Sequence, residues 1–458
     1  MLIAAVFLLA GLPAIQALQS SNARAPLRRV ALAASQRWPE LTPAGPYYRD
    51  GEVRGTLLRE LAPGRVWALE QVQGAIFVHV PVRMTLVKLD GGGLLGYSAV
   101  AATEEMLQLL ASVEAKHGPL LHVVLPTTAV EHKLFAVALA KAKKATLWIV
   151  PDQFSFPVDL PLGLLGFPRN TGRIGGPGDE APPWAKQVRY KMLGPLISKD
   201  GISNFEELVC YDSASKTMLC CDLLVSVSEK PPQCIVNNDA RALLFHARDF
   251  GNETVLNTPA ALARGWRKIA LFSLYFQAAS LRVTAEPDGT LGGAAAFFTA
   301  AFPPASAESR ATAGRWGSFF AWEWPDAVAT RQAFDALRAN GALLVPPILQ
   351  VAILDREPEK CLDFADAISR DFADAKTIVP CHFDAPVPLR PNAIRDAFAA
   401  FLVEPAPPLF PFLPFGKPMR SELPAADLDF LKTFAGTLLD AGVIFPPKAR
   451  AKSPPWKR

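Results

Sequence analysis

Proline most constrains what this chain can fold into: there are 42 prolines, against 30 glycines, among 458 residues. Each one locks φ at about −65° and removes a backbone donor, so regular elements must be short and their connections stiff. The prolines crowd into two stretches. Residues 151–195 carry Pro157, Pro161, Pro168, Pro177, Pro182 and Pro183 and read as a long ordered loop. Residues 403–424 carry Pro405, Pro407, Pro408, Pro411, Pro414 and Pro418 and read as a stiff linker. The rest can still bury a sizeable core, since half of the chain is hydrophobic and 20% is charged, which excludes global disorder.

From Trp67 the hydrophobic pattern becomes regular. Residues 75–80 and 84–89 are strand-like, Asp90-Gly91-Gly92-Gly93 is a turn, and 94–98 is the returning strand. Thr103 is a predicted N-cap, with Glu104 and Glu105 in the first turn and Met106, Leu109, Leu110 and Val113 on one face. Gly118 stops that helix. A buried strand over 120–125, a helix over 131–143 and a strand over 146–150 complete a β–α–β order, which implies α/β layering. Beyond the proline-rich loop, 205–211 and 217–225 read as a hairpin around Asp212-Ser213. Helical stretches follow near 260–276 and 325–340, and a strand ends at Ile378 to Pro380, just before Cys381-His382. A last amphipathic helix carries Leu428, Leu431, Phe434, Leu438 and Leu439, and the basic tail 448–458 reads as mobile.

The N-terminus reads as an address. Residues 1–18 are apolar and uncharged, broken by Gly11 and Pro13, which suits a signal peptide better than a membrane anchor. Residues 19–45 open with Arg24, Arg28, Arg29 and Arg37 and no acid before Glu40, a transit-peptide composition. Together they match a bipartite presequence for a plastid reached through the secretory route; plain secretion is the alternative. Asn252-Glu253-Thr254 is a glycosylation sequon that such a route would expose. No later segment reaches the roughly 18 apolar residues of a bilayer span, so no transmembrane span is expected in the mature chain. The net charge of +4 offers no electrostatic case for nucleic acid. Cys210, Cys220, Cys221, Cys234, Cys361 and Cys381 form no CxxC pair and read as buried thiols. The aromatic stretch Phe319, Phe320, Trp322 and Trp324 reads as core or as a domain contact, with an apolar pocket as the alternative.

Four blocks carry a family resemblance. Val66-Trp67-Ala68-Leu69-Glu70-Gln71 leads to Val80-Pro81-Val82-Arg83-Met84-Thr85. Glu131-His132-Lys133 is followed by Gln153-Phe154-Ser155-Phe156-Pro157 and Leu160-Pro161-Leu162. Trp322-Glu323-Trp324-Pro325 is followed by Leu344-Val345-Pro346-Pro347-Ile348-Leu349-Gln350, and residues 378–386, IVPCHFDAP, close the set. This resembles an uncharacterised domain-of-unknown-function family of plants, algae and cyanobacteria, plastid-located in the eukaryotes and itself similar to the metallo-β-lactamase superfamily.

The resemblance implies an α/β fold: an αββα sandwich over residues 46–402, with a helical and loop insertion over roughly 230–345. The linker 403–424, a C-terminal helix over 425–447 and the tail 448–458 would follow. It also implies where a metal belongs. The superfamily motif H-x-H-x-D-H falls on residues 127–132, so Thr127 and Ala129 stand where two imidazoles are expected, Glu131 falls on the aspartate and His132 on the last histidine. Asp222 falls on the bridging aspartate and His382 on the final histidine. Glu131, His132, Asp222 and His382 are then the set expected around one divalent metal, for which zinc, iron or manganese suits two imidazoles and two carboxylates. A metal-free histidine–carboxylate cluster is the alternative. Two functions follow: a mononuclear metal-dependent hydrolase, or a catalytically inactive binding or assembly protein for a small molecule or plastid protein.

Overall fold

Strands whose side chains are buried on both faces need cover on both sides. Several strands among the described residues are of that kind, two of them long. Val78–Lys88 is buried at every position but the last, and Phe205–Asp212 at every position. The computed structural model, which describes residues 55–75, 78–155, 159–238, 240–250, 253–283, 322–403 and 423–457, supplies that cover by stacking four layers. The presequence, Asn252, most of the 403–424 linker, Phe319 and Phe320 lie outside the described residues.

The first sheet runs in chain order: β1 (Leu57–Ala62), β2 (Val66–Ala75), β3 (Val78–Lys88), β4 (Leu94–Tyr97), β5 (Leu120–Leu125), β6 (Thr146–Ile149) and β7 (Gly172–Arg173). β1 to β4 are antiparallel neighbours; β4 to β7 are parallel. The second sheet holds β8 (Val188–Leu196), β9 (Phe205–Asp212) and β10 (Thr217–Cys220). A small pair, β11 (Arg282–Val283) with β12 (Trp322–Glu323), stands apart from it. β13 (Thr377–Pro380) and β14 (Val387–Pro388) complete the second sheet in the order β14-β13-β10-β9-β8, and only β10 and β13 run parallel there.

The sheets meet face to face through Leu95, Tyr97 and Val124 against Leu208, Cys210 and Leu219. The Tyr97 hydroxyl donates to the Leu208 carbonyl at 2.6 Å and pins one sheet to the other. Helices α1 (Glu104–His117) and α2 (Val130–Lys143) cover the outer face of the first sheet with Met106, Leu110, Phe135 and Leu139. α1 starts and stops where the sequence indicates: Thr103 Oγ1 accepts from the Met106 N–H, and Gly118 takes φ 94°, a conformation open to glycine.

The insertion supplies α3 (Arg241–Ala247), α4 (Pro259–Tyr275) and α5 (Ala327–Arg338), and α6 (Pro347–Ala352) follows directly after it. α7 (Pro358–Asp371) covers the outer face of the second sheet with Cys361, Leu362, Ala365 and Ile368. The closing helix α8 (Asp429–Asp440) joins the insertion, with Phe434 and Leu438 in one cluster with Trp266, Phe272, Phe334 and Ile348. A Cβ on Gly265 would lie 1.8 Å from the Leu243 carbonyl oxygen, so α4 and α3 touch backbone to backbone there. The same cluster takes in Val72, Val78, Val80 and Phe383, so the insertion caps the sandwich at the Ala75 end of β2 and the Val78 end of β3. This is the αββα sandwich that the resemblance implied, with its insertion and terminal helix.

Four local expectations need correction. The two strand-like segments at 75–80 and 84–89 fall on one strand, β3, which begins at Val78 and runs through Pro81. The missing N–H of Pro81 is tolerated because β4 pairs only with Thr85 to Lys88. The 151–195 loop contains most of β8, an edge strand whose register shifts between Leu193 and Leu196, and this irregular edge accommodates Pro195. β10 stops at Cys220 rather than Val225. The tail is docked: Ala451 donates to Phe401 O at 3.0 Å and accepts from Val403 N at 2.9 Å, while Trp456 packs beside the α7 cluster. All six cysteines are buried thiols outside any disulfide. Among the described residues, no helix is long and apolar enough to cross a membrane.

Candidate metal centre

Three chain segments meet at one rim of the sandwich. β10 and β13 are parallel neighbours with Cys220 opposite Pro380, so Asp222 and His382 each follow two residues past the paired strand ends. The third segment leaves β5 through Pro126 and enters α2. It is stitched to β9 by the Leu208 N–H on Pro126 O at 2.7 Å, the Thr128 N–H on Glu206 O at 3.2 Å, and a bridge between Thr127 and Glu207. That places His132 in the first turn of α2, 1% exposed.

The side chains converge. His132 Nε2 lies 3.2 Å from His382 Nε2. Asp222 completes the triangle, with Oδ1 at 3.3 Å from His382 Nε2 and Oδ2 at 3.6 Å from His132 Nε2. The other ring nitrogens are occupied. His382 Nδ1 lies 2.9 Å from the Pro81 carbonyl, which can only accept, so the proton of a neutral ring sits on Nδ1 and the Nε2 lone pair faces Asp222 and His132. His132 Nδ1 shares a hydrogen bond of 2.9 Å with Ser98 Oγ.

Burial pushes the His132 pKa down, which favours the neutral, metal-ligating ring. Burial opposes ionisation of Asp222 too, but its interaction with His132, and then with His382, holds its carboxyl well below the usual range. The neighbouring Glu207 goes the other way: burial, then the Asp222 charge, push it up to about 8. Environment therefore splits these two acids, with Asp222 the more readily ionised.

This arrangement fits a metal ion. Donors on a tetrahedral ion at about 2.0–2.1 Å from each stand about 3.3 Å apart; the two Nε2 atoms are 3.2 Å apart, and each faces a different Asp222 oxygen, at 3.3 Å from His382 and 3.6 Å from His132. Asp222 Oδ2 is buried without a hydrogen-bond partner among the described residues. Nδ1 contacts that fix ring orientation are the usual support for ligating histidines. Glu131 is 1% exposed and lines the same cleft as Asp222 and His382, while the short contacts of the cluster run among His132, His382 and Asp222.

Sequence reasoning missed several supporting residues. Cys221 offers its sulfur to the cluster, in a group with His132 and Asp222 whose ligand atoms all lie within 4.8 Å of one another. Burial, then Cys381, push its thiol well up, so it stands as a protonated side chain beside the oxygen and nitrogen donors. Adjacency to Asp222 was the signal that could have marked it. Glu207 shapes the loop that carries Asp222: its carboxylate accepts from the N–H groups of Cys221 and Asp222 at 2.8 Å and of Leu223 at 3.0 and 3.2 Å. Arg83, 1% exposed, donates to Glu70 Oε1 at 2.6 Å, to the Phe383 carbonyl at 2.9 Å and to the Pro380 carbonyl, and so grips the chain on both sides of His382. Arg59 donates to the same Glu70 oxygen and to Ala385 O at 2.7 Å. These groups face each other because Glu70 and Arg83 are direct partners in the β2–β3 ladder. Thr127, where an imidazole was expected, is fully buried; its Oγ1 accepts from Ala129 N and its carbonyl accepts from Gln153 Nε2.

Comparison with known proteins gives two findings. A family model described as Domain of unknown function (DUF4336) matches residues 63–400. Among solved structures, the chain is similar to the DIM-1 metallo-β-lactamase at 10% identity and TM-score 0.29, covering 48% of this chain and 83% of that one. It is also similar to a metallo-β-lactamase from Pontibacter korlensis, at 13% identity and TM-score 0.28, covering 47% of this chain and 99% of that one. The IND-7 metallo-β-lactamase gives 10% identity, TM-score 0.29 and coverage of 39% and 75%. No curated protein matches.

Proposed function

This chain belongs to the DUF4336 domain family, and on that footing we propose that it is a mononuclear metal-dependent hydrolase that works in the plastid. The observation that carries this reading is the convergence of His132 Nε2, His382 Nε2 and an anionic Asp222, the last two at the wall of a cleft. A divalent cation bound there, zinc, iron or manganese, would supply Lewis acidity and activate water. The chain's own residues do the rest. Ser98 and the Pro81 carbonyl fix the two rings, so both Nε2 atoms are presented without reorganisation. Glu207 and Arg83 hold the backbone that carries Asp222 and His382. Glu131 lines the cleft, where its carboxylate can accept a proton from a reacting group. Thr127 and Ala129 offer no imidazole for a second ion, which is why we assign one metal rather than two.

The same loss of two imidazoles favours a second reading, a family member that keeps the ion but binds or assembles with a plastid partner without turnover. Metal analysis and activity separate the two. Purified wild-type chain is expected to hold about one divalent ion, and His132→Ala or His382→Ala less than a tenth of that. Equal metal in all three samples would end the metal proposal. Hydrolysis of p-nitrophenyl butyrate by wild-type chain, reduced at least 100-fold in both variants, supports the hydrolase. Full metal without hydrolysis supports the binding role. Residues 1–45 fused to a fluorescent protein are expected in plastids, and fluorescence confined to the secretory route would remove that part.

A further inference from the structure

Two glutamines stand two residues apart on β2 with opposite fates. Gln71 is satisfied on both sides of its amide: Nε2 donates to Thr56 Oγ1 at 3.0 Å and Ala101 O at 2.9 Å, and Oε1 accepts from Ala101 N at 3.0 Å. Gln73 is 2% exposed, and neither its Oε1 nor its Nε2 has a hydrogen-bond partner among the described residues. A buried amide with both functions unmet is a free-energy cost that a folded chain normally removes by pairing. Gln73 lines the cleft that also holds Glu131, Asp222 and His382. The other walls are mostly apolar, with Val80, Val225, Leu274, Ile348 and Phe383 among them, and no lysine or arginine lines the cleft among the described residues.

We propose that Gln73 is a specificity residue that reads the carboxamide edge of a neutral, apolar-bodied ligand in this cleft. Its Oε1 accepts the ligand's N–H and its Nε2 donates to the ligand's carbonyl, so each unmet function gains a partner. Charge selects the class. In the metal-free chain, two acidic side chains and no lysine or arginine among the described lining residues repel a carboxylate, and the apolar walls fit a hydrocarbon body rather than a sugar or phosphate. The proposal deepens the hydrolase reading of this cleft by naming its substrate class, and it rests on that reading for chemistry but not for binding.

The test titrates the full chain with hexanamide and, separately, with hexanoate, followed by calorimetry. It uses wild type, Gln73→Leu and His132→Ala, each as purified and after chelation. Wild type is expected to bind hexanamide saturably and at least tenfold more tightly than hexanoate after chelation. Gln73→Leu is expected to weaken hexanamide binding about tenfold, the worth of two neutral hydrogen bonds. Its thermal midpoint should rise by about 1–3 °C, because an unmet buried amide has been replaced by a hydrocarbon of similar size. No saturable hexanamide binding by wild type, equal binding by Gln73→Leu, or a fall in the midpoint of that variant would each overturn the proposal. The His132→Ala arm keeps the two readings apart. Amide binding that persists there alongside unchanged metal content would remove the metal reading and leave this one standing.

Discussion

Replacing Arg83 by methionine is expected to cost about 3–5 kcal/mol of folding stability and to weaken divalent-metal binding at least tenfold. The guanidinium is 1% exposed and shares Glu70 with Arg59, and its remaining donors are spent on the carbonyls of Pro380 and Phe383. Removing it leaves the buried Glu70 carboxylate to Arg59 alone and strands two buried carbonyls. Part of the stability should return when Glu70 is also made apolar, because a buried ion pair replaced on both sides is often neutral. Metal affinity should not return in the Arg83→Met, Glu70→Leu pair, since the backbone that flanks His382 stays unclamped. Chemical denaturation and zinc competition with a chromogenic chelator read the two effects separately. If stability and affinity recover together in the double variant, Arg83 is a structural ion pair and nothing more.

The second large effect belongs to Glu207→Ala. Three consecutive backbone N–H groups, from Cys221, Asp222 and Leu223, converge on this one carboxylate, and the Cys220 thiol donates to it at 3.3 Å. Without it they are left unmet in the interior, at about 1–3 kcal/mol each before relaxation. We expect a net loss on the order of 3–5 kcal/mol and a metal content well below half of wild type, because the turn that presents Asp222 loses its template. Glu207→Gln should fall between wild type and alanine: the amide oxygen can still accept, but its NH₂ group meets backbone donors head-on. Metal content in Glu207→Ala equal to that of wild type would show that the 220–223 turn holds its shape unaided.

How far the site was legible can be argued residue by residue. His132, Asp222 and His382 were legible through the family resemblance, which lays the superfamily's motif positions onto them, and parallel pairing of β10 with β13 brings the two loop residues to one rim. The clamps were illegible for a physical reason. Arg83 and Glu70 sit in strands whose patterns carry other polar residues, such as Gln71 and Thr85, and nothing local says that a charge faces inward. Glu207 is hidden in a run of eight buried positions where periodicity predicts apolar side chains. β8 was masked by the prolines around it, and the tail by its basic composition, although Ala451 pairs with Leu402. Pattern finds what packs by its own element; it does not find groups whose partners lie hundreds of residues away, as Arg83 lies from Phe383.

The most direct measurement is an anomalous difference map from a crystal soaked in one equivalent of zinc. A single peak about 2.0–2.2 Å from His132 Nε2, His382 Nε2 and one Asp222 oxygen is the predicted result. A map without a peak among those three side chains, or with zinc held only elsewhere on the chain, would contradict the account.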